Sequence, residues 1–117
     1  SRKILRTLLG AAGFTIEEAA DGKSALKTLS ALTPHIIITD LFLPDMEGFE
    51  LIRRFRSQKQ TGSIPIFAIS ASAFEDDVTE SYRSGATLFL AKPIRTDLLF
   101  EAIGKLLQIE WIYDEKR

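Results

Sequence analysis

The hydrophobic positions of this chain alternate between the spacing of helices and that of strands. Apolar residues three and four apart mark four predicted helices: residues 2–12, 23–32, 47–58 and 96–110. A fifth, short polar helix is predicted at residues 77–85 and ends at Gly85. Short apolar or alternating runs mark four predicted strands: residues 14–19, 35–39, 64–70 and 87–91. Because a helix lies between successive strands, the pattern predicts an α/β fold with a parallel sheet in a single domain.

Two of the helices have an apolar stripe that predicts which side faces the sheet. In the helix at 47–58 the stripe consists of Phe49, Leu51, Ile52 and Phe55. In the helix at 96–110 it consists of Leu98, Leu99, Ala102, Ile103, Leu106 and Leu107. Three arginines at 53, 54 and 56 are then expected on a solvated helix face.

The composition limits the classes of partner. The 117 residues are 45% hydrophobic and 26% charged, as in an ordinary globular domain. Fifteen basic and 16 acidic residues give a net charge of −1, which provides no general attraction to nucleic acid or to a membrane. The absence of cysteine excludes disulfides and thiolate sites and fits the reducing cytoplasm. We therefore expect a cytoplasmic domain that contacts neither nucleic acid nor membrane.

The candidate chemistry lies where the predicted strands end. Asp40 follows the run at 35–39, Ser70 ends the run at 64–70, and Lys92 follows the run at 87–91. In open parallel sheets, ligands bind at the carboxyl ends of the strands. An aspartate there can act as a nucleophile toward a phosphoryl group, and a lysine and a divalent cation would neutralise the phosphoryl oxygens. A hydroxyl would donate a hydrogen bond to one of them.

Each of these residues also has a plainer interpretation. Asp40 is a common residue in turns such as the one before Pro44, Ser70 could be an ordinary strand-end hydroxyl, and Lys92 could be a solvated surface residue. Three such groups on successive strands favour the functional interpretation. Asp45 and Glu47 are expected to cap the helix that follows them.

Three segments together resemble the receiver domains of two-component response regulators. They are "IIITDLFLPDMEGFELIRRFR", "PIFAISASA" and "GATLFLAKP". The resemblance implies a flavodoxin-like (βα)5 fold with strand order 2-1-3-4-5. The receiver would occupy residues 1–110, followed by a tail or linker at 111–117. It also implies that Asp40 is the phosphoacceptor, that Ser70 and Lys92 complete the site, that Phe89 is the switch aromatic, and that the Lys92–Pro93 bond is cis.

The resemblance also implies a mechanism and partners. A histidine kinase or a histidine phosphotransfer domain would phosphorylate Asp40, Ser70 would move toward the phosphoryl group, and Phe89 would swing inward. This would reshape the face formed by the family's fourth helix, fifth strand and fifth helix. A homodimer through that face, or through strand exchange, is compatible with the resemblance. The ending "LLQIEWIYDEKR" resembles receivers attached to hybrid histidine kinases, with a stand-alone response regulator as the second interpretation. The receiver itself is not an ordinary enzyme.

The family's magnesium site is incomplete in this sequence. Receivers begin with a strand that ends in an acidic pair, whereas this sequence starts inside the first helix. The remaining protein ligands are Asp40 and the backbone carbonyl of Phe42, and two oxygens hold Mg²⁺ poorly. Mg²⁺ is expected for the complete domain but weakly bound or absent here. The sequence is then a part of a longer protein, a chain completed by a partner's strand, or a receiver variant without magnesium chemistry.

Two rival functions use similar residues. A pseudo-receiver would act as an interaction domain without being phosphorylated. A phosphatase with an aspartate nucleophile would also use Asp, Ser and Lys, but it requires a second acid two residues after the nucleophile. That position is Phe42, which disfavours the phosphatase.

Overall fold

A computed structural model describes residues 19, 21–31 and 33–107 of the chain as alternating helices and strands. The helices are α1 (Gly22–Ala31), α2 (Gly48–Ser57), α3 (Glu75–Ser84) and α4 (Thr96–Leu107), and the strands are β1 (Ile37–Asp40), β2 (Ile66–Ser70) and β3 (Leu88–Ala91). Among these helices, none is long and apolar enough to cross a membrane. The helix predicted at 2–12 and nearly all of the strand predicted at 14–19 lie outside the described residues, as does the tail after residue 107.

The described strands form one parallel sheet in the order β1-β2-β3. The register pairs Asp40 with Ile69 and Ser70 with Ala91, so the carboxyl ends of the strands lie within one residue of one another. The predicted α/β class and flavodoxin-like arrangement are confirmed for this part of the chain.

The core lies on both faces of β2, because successive side chains of a strand point to opposite faces. On one face Ile66 and Ala68 belong to a cluster with Ile37 and with residues of α1 and α2, namely Leu29, Leu51, Ile52 and Phe55. On the other face Phe67 packs with Leu99 and Ile103 of α4. All five residues of β2 are buried, as expected for a strand covered on both sides.

The two predicted helix stripes have different outcomes. In α2, Leu51, Ile52 and Phe55 are buried and Phe49 packs against them, so this prediction is confirmed. In α4, Leu99 and Ile103 are buried, but Leu98 and Leu106 are 43% and 39% exposed. The predicted stripe was too wide, because the described contact of α4 with this core cluster is made by Leu99, Ala102 and Ile103.

Arg56 was predicted to be solvated, and this is wrong. Its guanidinium donates hydrogen bonds to the carbonyl oxygens of Gly85 (2.8 Å) and Ile64 (2.6 Å). Longer bonds reach the carbonyls of Thr61 and Gly62, at 3.3 Å each. Burial lowers the pKa of Arg56 from its ordinary value. The side chain therefore joins the loop before β2 to the end of α3, whereas Arg53 and Arg54 are exposed as predicted.

Gly85 provides the turn that this contact requires. It ends α3 with a φ of 119°, in the left-handed region that residues with a Cβ rarely adopt. A Cβ at this position would lie 2.6 Å from Cγ of Arg56. Glycine therefore allows both the chain reversal after α3 and the close approach of the arginine.

Arg56→Ala is expected to lower the free energy of unfolding by about 2–4 kcal/mol, because several loop carbonyls would lose a charged donor. Arg54→Ala is the matched control. Arg54 is an exposed arginine of the same helix that pairs with Glu50 at 3.1 Å, and its loss should cost less than about 1 kcal/mol. Urea denaturation of the two variants measures both values, and equal losses would contradict the structural role of Arg56.

Candidate functional site

The structure brings the three predicted site residues to the edge of the sheet formed by the carboxyl ends of the strands, which we call the rim. Asp40 is the last residue of β1, Ser70 is the last residue of β2, and Lys92 directly follows β3. The backbone N–H of Lys92 donates to the carbonyl of Ser70 at 2.8 Å, which continues the β2–β3 pairing by one residue. The rim therefore carries a carboxylate, a hydroxyl and an ammonium side by side.

Asp40 and Lys92 form an ion pair across the rim. Nζ of Lys92 lies 2.6 Å from Oδ1 of Asp40, and the two side chains are 29% and 25% exposed. A pair at this depth is screened less by salt than a surface pair, yet it remains open to a reactant from solvent. The Lys92–Pro93 peptide bond is cis, as the resemblance predicted.

Ser70 is held in place by the loop that follows it. The residue is 1% exposed, and its Oγ accepts a hydrogen bond from the backbone N–H of Ser72 at 3.0 Å. A hydroxyl that accepts one bond still has its own proton to donate. Ser72 in turn donates from its Oγ to Oδ2 of Asp77 at 2.6 Å, in the first turn of α3. Sequence reasoning missed Ser72 and Asp77, although a polar residue two positions after the strand-end serine was a usable signal.

Phe89 and Phe42 differ in their surroundings. Phe89 lies in β3 opposite Ala68 and packs, partly buried, against the core face that holds α2. Its backbone N–H donates to the hydroxyl of Tyr82 on α3 at 3.1 Å, a contact that sequence reasoning did not identify. Phe42 is 66% exposed in the loop after β1, where it forms an isolated antiparallel bridge with Glu47.

Asp45 caps a different helix from the one predicted. Its Oδ1 accepts from the backbone N–H of Gly22 at 2.8 Å and its Oδ2 from that of Lys23 at 3.0 Å, at the start of α1. Glu47 lies at the N-cap of α2 without a side-chain capping bond. The prediction that both residues cap α2 is therefore wrong. The bridge between Phe42 and Glu47 folds the loop back, and Asp45 then reaches a helix more than 20 positions away in sequence.

Gly48 lets α2 begin directly against the backbone that carries Asp40. Its N–H donates to the carbonyl of Leu41 at 2.7 Å. A Cβ at Gly48 would lie 2.5 Å from Cα of Leu41 and would also overlap the carbonyl oxygen of Asp40. The absence of a side chain at Gly48 therefore determines how closely the start of α2 packs on the strand that carries Asp40.

Comparison with known proteins identifies the family. The sequence profile of the response regulator receiver domain matches residues 1–104. The chain belongs to this family. It is a receiver domain of two-component signalling. One solved structure of the same fold, the receiver domain of the sensor histidine kinase PA1611 from Pseudomonas aeruginosa, has a magnesium ion coordinated in its active site cleft; its TM-score is 0.84 and its identity to this chain is 24%.

Individual relatives place this receiver domain among longer signalling proteins. It is 33% identical over 117 residues to the sensor protein EvgS of Escherichia coli K12, covering 100% of the chain and 10% of EvgS. It is 32% identical over 115 residues to the response regulator PleD of Caulobacter vibrioides, covering 98% of the chain and 25% of PleD. The chain thus spans a quarter or less of these curated relatives.

The fold matches solved receiver structures. One is the receiver domain of a signal transduction histidine kinase from Syntrophus aciditrophicus, with a TM-score of 0.83 and 28% identity. That match covers 97% of this chain and 89% of the other. The likeness therefore extends over the entire α/β unit.

The described rim does not by itself fit a magnesium ion. Within the part of the chain that the structure describes, no group of three or more His, Cys, Asp or Glu side chains is placed to hold a metal. Asp40 and the backbone carbonyl of Phe42 are the two oxygen ligands predicted there. Because Mg²⁺ takes near-octahedral oxygen coordination, the described residues of the receiver domain leave its ligand set incomplete.

Asp45→Asn is expected to weaken the acid dependence of the receiver domain's stability. The backbone N–H groups of Gly22 and Lys23 hold the pKa of Asp45 below its ordinary value of 3.8. A carboxyl whose pKa is depressed on folding adds stability above its unfolded pKa, and this stability is lost as the pH falls through the folded pKa. Below about pH 4 the free energy of unfolding should therefore fall more steeply in the wild type than in the variant. Urea denaturation across this range measures both slopes, and equal slopes would contradict the capping role.

Gly48→Ala is expected to lower the free energy of unfolding of the receiver domain by about 1–3 kcal/mol, because the added methyl group overlaps main-chain atoms that cannot move aside easily. Gly62→Ala is the control. A Cβ there lies no closer than 3.0 Å to another heavy atom, so the loss should stay below about 1 kcal/mol. Chemical denaturation of both variants measures their free energies of unfolding. Equal values would contradict the importance of the close approach at Gly48.

Proposed function

We propose that this receiver domain accepts a phosphoryl group on Asp40 from the histidine of a kinase or phosphotransfer partner. The observation that carries the proposal is the ion pair at the rim, with Lys92 Nζ 2.6 Å from Asp40 Oδ1. A carboxylate oxygen of Asp40 would attack phosphorus, forming an O–P bond as the P–N bond breaks. The donor imidazole nitrogen would leave with the electron pair and take up a proton from solvent.

Lys92 would act on the charge that arrives with the phosphoryl group. In the described state its ammonium neutralises the Asp40 carboxylate. Once Asp40 is phosphorylated, its carboxylate charge is lost and the phosphoryl oxygens carry negative charge close to the same place. The same ammonium would then neutralise those oxygens. The lysine therefore needs only a small movement between the two states. Asp40 and the Phe42 carbonyl would be the described domain's contribution to a magnesium site, and a bound Mg²⁺ would further neutralise the phosphoryl oxygens.

Ser70 and Phe89 would convert this local charge into a change of shape. The Ser70 hydroxyl retains a proton that a phosphoryl oxygen can accept, and the residue ends the strand next to Asp40. Phe89 would then move inward, toward the core face against which it is already partly packed. The face made of α3, β3 and α4, which corresponds to the family's fourth helix, fifth strand and fifth helix, would change as a result.

The proposal also covers the protein that contains this domain and the partners of the domain. The similarity of the whole chain to the sensor protein EvgS supports a place in a hybrid histidine kinase, with residues 1–110 as a cytoplasmic receiver and 111–117 as its tail. The similarity to the response regulator PleD supports the second interpretation, a stand-alone response regulator. A homodimer would use the face of α3, β3 and α4. The net charge of −1 argues against a nucleic-acid partner.

The alternative function is that of a pseudo-receiver, an interaction domain that binds partners without being phosphorylated. Phosphorylation of the intact protein separates the two functions.

In the intact protein with Mg²⁺ and acetyl phosphate, the wild type should incorporate a phosphoryl group that hydroxylamine removes, as expected for an acyl phosphate. Asp40→Asn should lose the nucleophile and reduce incorporation at least about 100-fold, and Lys92→Met should reduce its rate about 10- to 100-fold. The control is Asp97→Asn, an exposed acid of α4 paired with Arg95 at 2.8 Å, which should match the wild type.

Mass spectrometry of the labelled protein gives the site of the modification. A label that persists in Asp40→Asn would contradict the assignment of the nucleophile. A wild type that takes up no phosphoryl group and does not bind beryllium fluoride would support the pseudo-receiver instead.

A further inference from the structure

The loop between β2 and α3 links Ser70 to the first turn of α3 through two hydrogen bonds in series. The backbone N–H of Ser72 donates to Oγ of Ser70 at 3.0 Å. The hydroxyl of the same Ser72 donates to Oδ2 of Asp77 at 2.6 Å. Ser72 therefore holds the Ser70 hydroxyl with its backbone while its own side chain is anchored on the helix.

The second bond is the stronger of the two. A hydroxyl that donates to a carboxylate at 2.6 Å has the short length of a charge-assisted hydrogen bond. Both partners are partly buried, which reduces the competition from water. Asp77 also lies in the first turn of α3, where the helix dipole favours a negative charge. The loop is therefore fastened to α3 more firmly than Ser70 is fastened to the loop.

This arrangement opposes the movement that phosphorylation would require. If Ser70 turns its hydroxyl toward a phosphoryl group on Asp40, the N–H of Ser72 either loses its acceptor or must move with it. Movement of Ser72 in turn strains or breaks its bond to Asp77. The contact therefore stabilises the unphosphorylated arrangement and is weakened in the phosphorylated one.

We propose that Ser72 and Asp77 form a latch that holds the loop between β2 and α3 in its unphosphorylated arrangement and thereby lowers the affinity of the rim for a phosphoryl group. The inference rests on the proposed function, because it needs a phosphoryl group at Asp40 and a responding Ser70. Ser72 and Asp77 are positioning residues that act through Ser70.

The latch has a signature that a purely structural contact does not have. Removing an interaction that exists mainly in one of two states destabilises that state and shifts the population toward the other. Breaking the latch should therefore loosen the free domain and tighten its binding of a phosphoryl mimic. Loss of an ordinary structural contact would loosen the free domain and leave binding unchanged or weaker.

The test measures the affinity of the intact protein for beryllium fluoride in the presence of Mg²⁺. Ser72→Ala and Asp77→Asn should each bind about fivefold tighter than the wild type or more, the range of couplings between linked sites. Ser72→Thr keeps the hydroxyl and should restore wild-type affinity. Asp76→Asn is the matched control, because it removes the same charge from the same first turn of α3 without touching Ser72.

Hydrogen exchange of the free proteins gives the second readout. Peptides covering residues 70–77 should exchange faster in Ser72→Ala and Asp77→Asn than in Asp76→Asn. If neither latch variant binds beryllium fluoride more tightly than the wild type, the latch is overturned and the proposed function remains intact. No beryllium fluoride binding by any of the proteins, wild type included, would remove the proposed function and the latch with it.

Discussion

The parallel register of the three described strands is the constraint on which the site depends. Because Asp40 pairs with Ile69 and Ser70 pairs with Ala91, the three strands end within one residue of one another and deliver their last residues to one rim. A shift of one residue in a strand would turn its side chains to the opposite face and separate Lys92 from Asp40. The ion pair of 2.6 Å is thus a consequence of sheet register more than of local sequence. The fully buried β2 maintains this register, since both of its faces are covered.

The loops that surround this rim are held in place by contacts with neighbouring helices. Asp45 ties the loop after β1 to the start of α1, and Gly48 brings the start of α2 against the backbone of Leu41. Ser72 ties the loop after β2 to α3. If Asp40 acts as the proposed nucleophile, it would lose little further entropy on reacting, because folding has already positioned it.

Helix α3 is connected to both proposed switch residues. Near its start Asp77 reaches Ser70 through Ser72, and further along Tyr82 accepts a hydrogen bond from the backbone of Phe89. Its end is joined to α2 by Arg56, which donates to the carbonyl of Gly85. A local charge at Asp40 can therefore bias the position of a whole helix through a few short contacts, which is the physical requirement for a two-state signalling element. Because each contact is a single hydrogen bond, one substitution is enough to change its strength.

The sequence by itself determined the class of fold, the bounds of the described elements to within about two residues, and the short list of Asp40, Ser70 and Lys92. It could do so because hydrophobic periodicity and strand-end residues are local signals, written in consecutive positions. It misplaced Asp45 and Arg56 and overlooked Ser72, Asp77 and Tyr82. Their partners are set by loops that fold back, and for Asp45 and Arg56 these partners also lie more than 20 positions away in sequence. The local sequence around a carboxylate in a turn is the same whether that carboxylate caps the next helix or a helix more than 20 positions earlier. Only the tertiary structure decided which hydrogen-bond donors each carboxylate met.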